Sequence, residues 1–96
     1  MHTVSARLIT DFLNDYELTQ TEVADELGCS ITTINSMASG KSKVSIPMAF
    51  ALGSYFNQYD NTQDWTEKLL QARVADDAAE FMGKAERYKN LIKGDV

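Results

Sequence analysis

The segment that decides the fold is Gln20–Ser39, which reads QTEVADELGCSITTINSMAS. Its apolar residues recur every three or four positions, which is the spacing of helices with one buried face. Gly28 divides the segment, since glycine readily adopts the positive φ with which many helices end. We therefore predict two short helices that cross around a tight turn, with the small Ala24 at their contact. The predicted buried anchors are Val23, Leu27, Ile34 and Met37.

Hydroxyl side chains indicate where these helices begin. Thr19 and Glu22 have the spacing of a capping box, in which each side chain bonds to the backbone amide of the other residue. Ser30 is placed to cap the second helix, which we expect to stop at Gly40. Further along, Ser45 followed by a proline at position 47 predicts the start of another helix.

Helical patterns also lie on both sides of this segment. Upstream, apolar spacing predicts a helix from about Val4 to Tyr16. Downstream, a polar loop is followed from about Asp64 by a helical pattern. Its first apolar stripe comprises Trp65, Leu69 and Ala72, and its second comprises Ala78, Phe81, Ala85, Tyr88 and Ile92.

The second stripe has the alternating spacing of a coiled-coil seam, and we interpret it as an oligomerisation surface. The alternative is that it packs within the same chain. The two stripes are out of register, which leaves open one long helix or two helices broken near Gly83. We predict an all-α chain with three parts. These are a helix-turn-helix bundle in residues 1–56, a linker loop in residues 57–63, and a C-terminal helix or helix pair in residues 64–96.

Composition excludes several classes of protein. The chain has 96 residues, enough for one small core. A single cysteine and a single histidine exclude an internal disulfide framework and a His/Cys metal cluster, so we expect no metal and no cofactor. No nucleophile–base pair, carboxylate dyad or glycine-rich phosphate loop is recognisable, and we predict a non-enzyme. Without a membrane span or a signal-peptide pattern, we expect a cytoplasmic protein.

The charge distribution is uneven. The net charge is −5, which by itself argues against nucleic-acid binding, because that function usually needs a basic surface. Residues 31–46, however, contain Lys41 and Lys43 and no acidic residue. When the chain is divided into residues 1–30, 31–46 and 47–96, only the middle part has a positive balance, and it includes the second helix of the predicted pair and the loop after it. Carboxylates on remote helices are largely screened at physiological salt.

These features together resemble the Cro/repressor-like (XRE-type) helix-turn-helix family. The resemblance runs through LTQTEVADELG at residues 18–28, SITTI at residues 30–34 and SGKSK at residues 39–43. It implies that Ser30 to Ser39 form a recognition helix that enters the DNA major groove. It further implies a set of DNA-binding residues: Gln20, Ser30, Ile31, Thr32, Thr33, Asn35, Ser36, Ser39, Lys41 and Lys43.

The resemblance also implies a function. We expect a sequence-specific transcriptional regulator of phage or mobile-element origin, which binds a palindromic operator in double-stranded DNA as a homodimer or higher homo-oligomer. Within the helix, Asn35 is suited to adenine, the hydroxyl groups to bases or phosphates, and Ile31 to thymine methyl groups. The alternative is a helix-turn-helix scaffold that binds a protein partner, as an inhibitor or antirepressor, without reading DNA. The acidity and the absence of arginine from the recognition helix favour that alternative.

Overall fold

The computed structural model describes the backbone of residues 3–94 and the side chains of residues 3–87. That part of the chain contains five α-helices and no strand. The helices are α1 (Val4–Asp15), α2 (Gln20–Leu27), α3 (Ile31–Ala38), α4 (Ile46–Asn57) and α5 (Trp65–Gly94). The all-α prediction is confirmed. Of the two alternatives for the C-terminal segment, the structure has the single helix, which spans 30 residues and includes Gly83.

A hydroxyl side chain caps the start of each of the first four helices. Thr3, Thr19, Ser30 and Ser45 each accept a hydrogen bond from the backbone amide three residues later. Each such bond satisfies one of the amides that have no partner within their own helix. The capping box is only half formed, since no bond from the Thr19 amide to the Glu22 carboxylate occurs among the described residues.

The turn between α2 and α3 depends on the backbone conformation of Gly28. This residue has φ of 67° and ψ of 31°, which is the left-handed helical conformation. The conformation lets the Cys29 amide donate to the Ala24 carbonyl at 3.0 Å and the Gly28 amide donate to the Asp25 carbonyl at 3.3 Å. These two bonds form a Schellman motif, which closes the end of α2 and turns the chain toward α3.

The core lies where the five helices meet. The anchors Val23, Ile34 and Met37 are buried as predicted, whereas Leu27 is only partly buried. The ring of Phe12 stacks on that of Phe56, with 3.9 Å between centroids. The largest fully buried side chains are Phe12, Phe56, Ile9, Ile34, Leu52, Leu69, Val23 and Val44.

The N-terminal part of α5 completes this core. Trp65, Leu69 and Ala72 are all buried, so the first apolar stripe is a packing face of the core. Helix α5 packs against α4 and α1. At the α1 contact, the Asp76 carboxylate accepts hydrogen bonds from the backbone amides of Val4 at 2.7 Å and Ser5 at 3.2 Å. A side chain from the last helix thus helps to cap the first one.

The contact between α4 and α5 requires a glycine. A β-carbon added to Gly53 would lie 2.5 Å from the Cα atom of Thr66 and 2.6 Å from its amide nitrogen. Both atoms are backbone, so the helices would have to move apart to accommodate it. An added β-carbon at Gly83, in contrast, would meet nothing within 4 Å.

We therefore expect opposite effects from the same substitution at these two glycines. Gly53→Ala should lower the free energy of unfolding by about 1–3 kcal/mol, the usual cost of overpacking. Gly83→Ala should raise it by about 0.5–1 kcal/mol, because alanine is favoured over glycine within a helix. Urea unfolding followed by circular dichroism measures both. A Gly53→Ala variant as stable as Gly83→Ala would contradict the close packing of α4 on α5.

Candidate nucleic-acid interface

Helix α3 is buried on one face and open on the other. Ile34 and Met37 are fully buried, and they fix the helix against the core. The opposite face contains the residues expected to contact DNA, and the described part of the chain leaves it uncovered. Ile31 is 50% exposed at the start of the helix. Thr32, Thr33 and Asn35 are exposed, and Ser36 is partly buried.

Some polar groups on this face already bond to each other. The Ser30 and Thr33 hydroxyl groups lie 2.9 Å apart, and the Ser30 hydroxyl also accepts a hydrogen bond from the Thr33 amide. The Ser39 hydroxyl donates to the Ser36 carbonyl at 3.3 Å. These local bonds orient the hydroxyl groups near the two ends of the helix. Each hydroxyl still has capacity for a further hydrogen bond.

A side-chain hydrogen bond joins α2 and α3 within the predicted interface. The Asn35 amide nitrogen donates to the side-chain oxygen of Gln20 at 3.2 Å. The bond uses one of the two amide hydrogens of Asn35 and leaves the other hydrogen and the carbonyl oxygen available. Those are the donor and acceptor that an asparagine needs to bind adenine in the major groove.

The connection between α3 and α4 is held by backbone bonds. The Ser36 carbonyl accepts from the amides of Lys41 at 2.9 Å and Ser42 at 3.1 Å. Val44 is buried and anchors the connection to the core. The Lys41 side chain is exposed to solvent.

The ammonium group of Lys43, in contrast, is bound by α5. Its Nζ atom lies 2.8 Å from Asp77 Oδ1 and 2.6 Å from Glu80 Oε2. Asp77 is also paired with Arg73, whose guanidinium donates to the Val44 carbonyl at 2.6 Å. This cluster is not predictable from the sequence pattern as a whole. The four-residue spacing of Arg73 and Asp77 indicates an ion pair on one helix, but nothing in the sequence indicates Lys43 as a partner.

These ion pairs shift the pKa of every carboxylate involved. The hydrogen bond from Lys43, reinforced by Arg73, lowers the pKa of Asp77. The hydrogen bonds from Lys43 and Lys84 lower the pKa of Glu80. The same bonds to Asp77 and Glu80 raise the pKa of Lys43. The cluster is therefore fully charged across the neutral range.

The expected oligomerisation residues lie on the part of α5 beyond the core. Ala78 is exposed, Phe81 is 69% exposed and Ala85 is partly buried. The side chains of Tyr88 and Ile92 lie outside the described residues. Val74, which the sequence analysis omitted, is 66% exposed one helical turn before Ala78.

In the part of the chain that the structure describes, no helix is long and apolar enough to cross a membrane.

Comparison with known proteins gives one match. The family model described as Helix-turn-helix matches residues 11–60, which include α2, α3 and α4 in full. No curated protein and no solved structure matches the chain. The matched region contains every residue that the sequence analysis assigned to the DNA interface.

The lowered pKa values give the Lys43 cluster a defined pH dependence. A carboxyl group whose pKa is lowered by folding stabilises the protein at neutral pH, and this contribution is lost as the pH falls through the pKa. We therefore expect Lys43→Met to lower the melting temperature by a small amount at pH 7, because the ion pairs are exposed, and by less at about pH 3. Thermal unfolding of both proteins at the two pH values tests this.

Lys41→Met is the matched control, because it removes the same charge only two residues away in the sequence. The Lys41 side chain has no ion pair among the described residues. Its effect on the melting temperature should be smaller at pH 7. A Lys43→Met effect that is as large at about pH 3 as at pH 7 would show that the ion pairs do not stabilise the fold.

Proposed function

Because the chain belongs to the Cro/repressor-like (XRE-type) helix-turn-helix family of DNA-binding regulatory domains, we propose that it reads a specific operator with the outer face of α3. On this proposal it is a transcriptional regulator that binds a palindromic site as a dimer. A phage or mobile-element origin is part of the same proposal. The observation that carries the proposal is the open polar face of α3, with Ile34 and Met37 locked behind it.

The chemistry of this face supports base reading. An α-helix fits the DNA major groove, where each base pair presents a distinct pattern of donors, acceptors and methyl groups. Asn35 retains a donor and an acceptor beyond its bond to Gln20. Thr32 and Ile31 bring methyl groups near the start of the helix, which suits contact with thymine. Gln20 and Lys41, on either side of α3, are the residues we propose as phosphate contacts.

The acidity of the chain is compatible with this function. Glu22, Asp25 and Glu26 are exposed on α2 and reduce the attraction to DNA. At physiological salt, charges about 8 Å or more from the DNA are largely screened. The acidic residues therefore weaken non-specific binding, which is electrostatic, more than they weaken base contacts. Affinity would then depend on two subunits binding together.

Substitutions on α3 test the assignment. The operator is first obtained by selecting bound fragments from random duplexes. We expect Asn35→Ala to weaken binding to it by about 1–3 kcal/mol, the usual value of a bidentate base contact. Thr32→Ala should weaken binding less, and Lys41→Ala should weaken specific and non-specific binding alike. Gel shift or fluorescence anisotropy at fixed salt measures all three.

Gln63→Ala is the control, because Gln63 is exposed in the loop between α4 and α5, outside the proposed interface. It should bind the operator as the unsubstituted protein does. If Asn35→Ala, Thr32→Ala and Lys41→Ala all leave DNA affinity unchanged, the protein does not read DNA through α3. The protein-binding alternative would then be the better explanation.

The shape of α5 supports dimerisation. One narrow stripe along α5 is apolar. At about 100° per residue, it spans roughly 60° of the helix circumference and comprises Val74, Ala78, Phe81 and Ala85. The core residues Leu69 and Ala72 lie on about the opposite side, so α5 has two apolar faces and the bundle covers only one. We propose that in the C-terminal segment, residues 64–96, this uncovered face packs against a second copy of the chain. Residues 1–56 then form the DNA-binding unit, and residues 57–63 form the linker.

A charge introduced into the seam tests this dimer. We expect Phe81→Asp to convert a dimer to a monomer, because the interface would bury an unpaired carboxylate. Operator affinity should fall with it, since a dimer binds two half-sites at once. Ala79→Asp is the matched control, which adds the same charge to an exposed position two residues away and off the seam. Analytical ultracentrifugation at tens of micromolar protein measures the oligomeric state of each variant. If the unsubstituted protein is a monomer, the proposal is contradicted.

A further inference from the structure

The Lys43 cluster connects the proposed DNA-contacting loop to the helix that follows the bundle. Lys43 lies between α3 and α4, in the loop that the resemblance implies would contact the DNA backbone. Its ammonium group contacts carboxylates from two positions of α5, Asp77 and Glu80. The same group is thus a proposed phosphate ligand and an ion-pair partner within the chain.

We propose that Asp77 and Glu80 compete with DNA phosphates for Lys43, so that α5 lowers the affinity of the interface for DNA. The inference rests on the proposed function and adds an internal control on the strength of binding. Carboxylate and phosphate oxygens accept the same hydrogen bonds from an ammonium group. A phosphate that approaches Lys43 therefore replaces one or both carboxylates, and until then the two negative charges repel it.

The exposure of the cluster makes this exchange reversible. The side chains of Lys43, Asp77 and Glu80 are 47%, 44% and 45% exposed. Ion pairs between side chains this exposed contribute little to stability, so little opposes their opening. The contact with Glu80 opens most easily, because the Asp77 Oδ1 atom is itself shielded from solvent. Opening a buried ion pair costs much more free energy, because it leaves a buried charge without a partner. An exposed pair can exchange its carboxylate for another anion.

The backbone of the loop does not have to move for the exchange. The Arg73 guanidinium holds the Val44 carbonyl at 2.6 Å, and Val44 itself is buried. The loop therefore stays docked on α5 while the Lys43 side chain changes partner. After Lys43 leaves, Asp77 keeps its pair with Arg73 and Glu80 keeps its pair with Lys84, so neither carboxylate is left without a cation.

Neutralising the two carboxylates tests the competition. The probe is a duplex of about 30 base pairs of random sequence, because non-specific binding reports the electrostatic contacts without knowledge of the operator. We compare the full chain with Asp77→Asn/Glu80→Gln and with a control pair, Glu67→Gln/Glu86→Gln. Both pairs remove two negative charges from α5, but Glu67 and Glu86 have no ion pair with Lys43 among the described residues.

We expect Asp77→Asn/Glu80→Gln to increase DNA affinity about fivefold or more beyond the control pair. The slope of log affinity against log salt should steepen by about 0.9, the value for one additional phosphate contact. Lys43→Met in the same background should remove this extra gain and leave the smaller effect of net charge. Glu80→Gln alone should show part of the gain in affinity. Because this variant keeps the Arg73–Asp77 ion pair, it tests the competition with less disturbance of the loop.

Equal gains from the two pairs would overturn the inference, because net charge alone would then explain the effect. A loss of affinity in Asp77→Asn/Glu80→Gln would also overturn it, by showing that the carboxylates hold Lys43 in its binding position. If neither the unsubstituted protein nor any variant binds the duplex at about 50 mM salt, the proposed function fails as well. If the unsubstituted protein binds the duplex and the two double variants gain the same affinity, only the competition for Lys43 is refuted and the proposed function stands.

Discussion

Burial of Ile34 and Met37 is the interaction on which the interface depends. Helix α3 has eight residues, and a helix of that length is not stable by itself in water. It exists because the core holds its inner face, and the Ser30 cap and the turn at Gly28 set where it begins. Since the inner face supplies this stability, the outer face is free to contain short polar side chains that contribute nothing to the core.

Electrostatics acts against the proposed DNA interface. The chain is acidic, whereas residues 31–46, which include α3 and its connection to α4, contain two lysines and no acidic residue. The structure lowers the accessible positive charge further, because Lys43 is bound to Asp77 and Glu80 while Lys41 remains exposed. A binding surface with so little free charge attracts all DNA weakly, which places more of the affinity on contacts to particular bases. Weak non-specific binding is an advantage where many competing sites are present.

Helix α5 joins the parts of the molecule. Trp65 and Leu69 enter the core, Asp76 caps α1, and Arg73 holds the backbone of the loop before α4. Farther along, Phe81 extends an apolar face into solvent. Because the same helix touches the core, the loop and the proposed dimer seam, a change in any one of these contacts can affect the others through a rigid element.

The sequence by itself determined the first four helices and left open whether the C-terminal segment is one helix or two. Local chemistry decides where a helix starts and which face is apolar, so Thr19, Gly28 and Ser30 gave the boundaries of α2 and α3, and Ile34 gave the buried side of α3. Only the tertiary structure decided which distant groups meet. The contacts of Lys43 with Asp77, of Asp76 with the α1 amides and of Gly53 with Thr66 join residues far apart in the chain or in separate helices, and they depend on how the helices pack. The packing geometry is set by the whole core at once, and no local pattern records it.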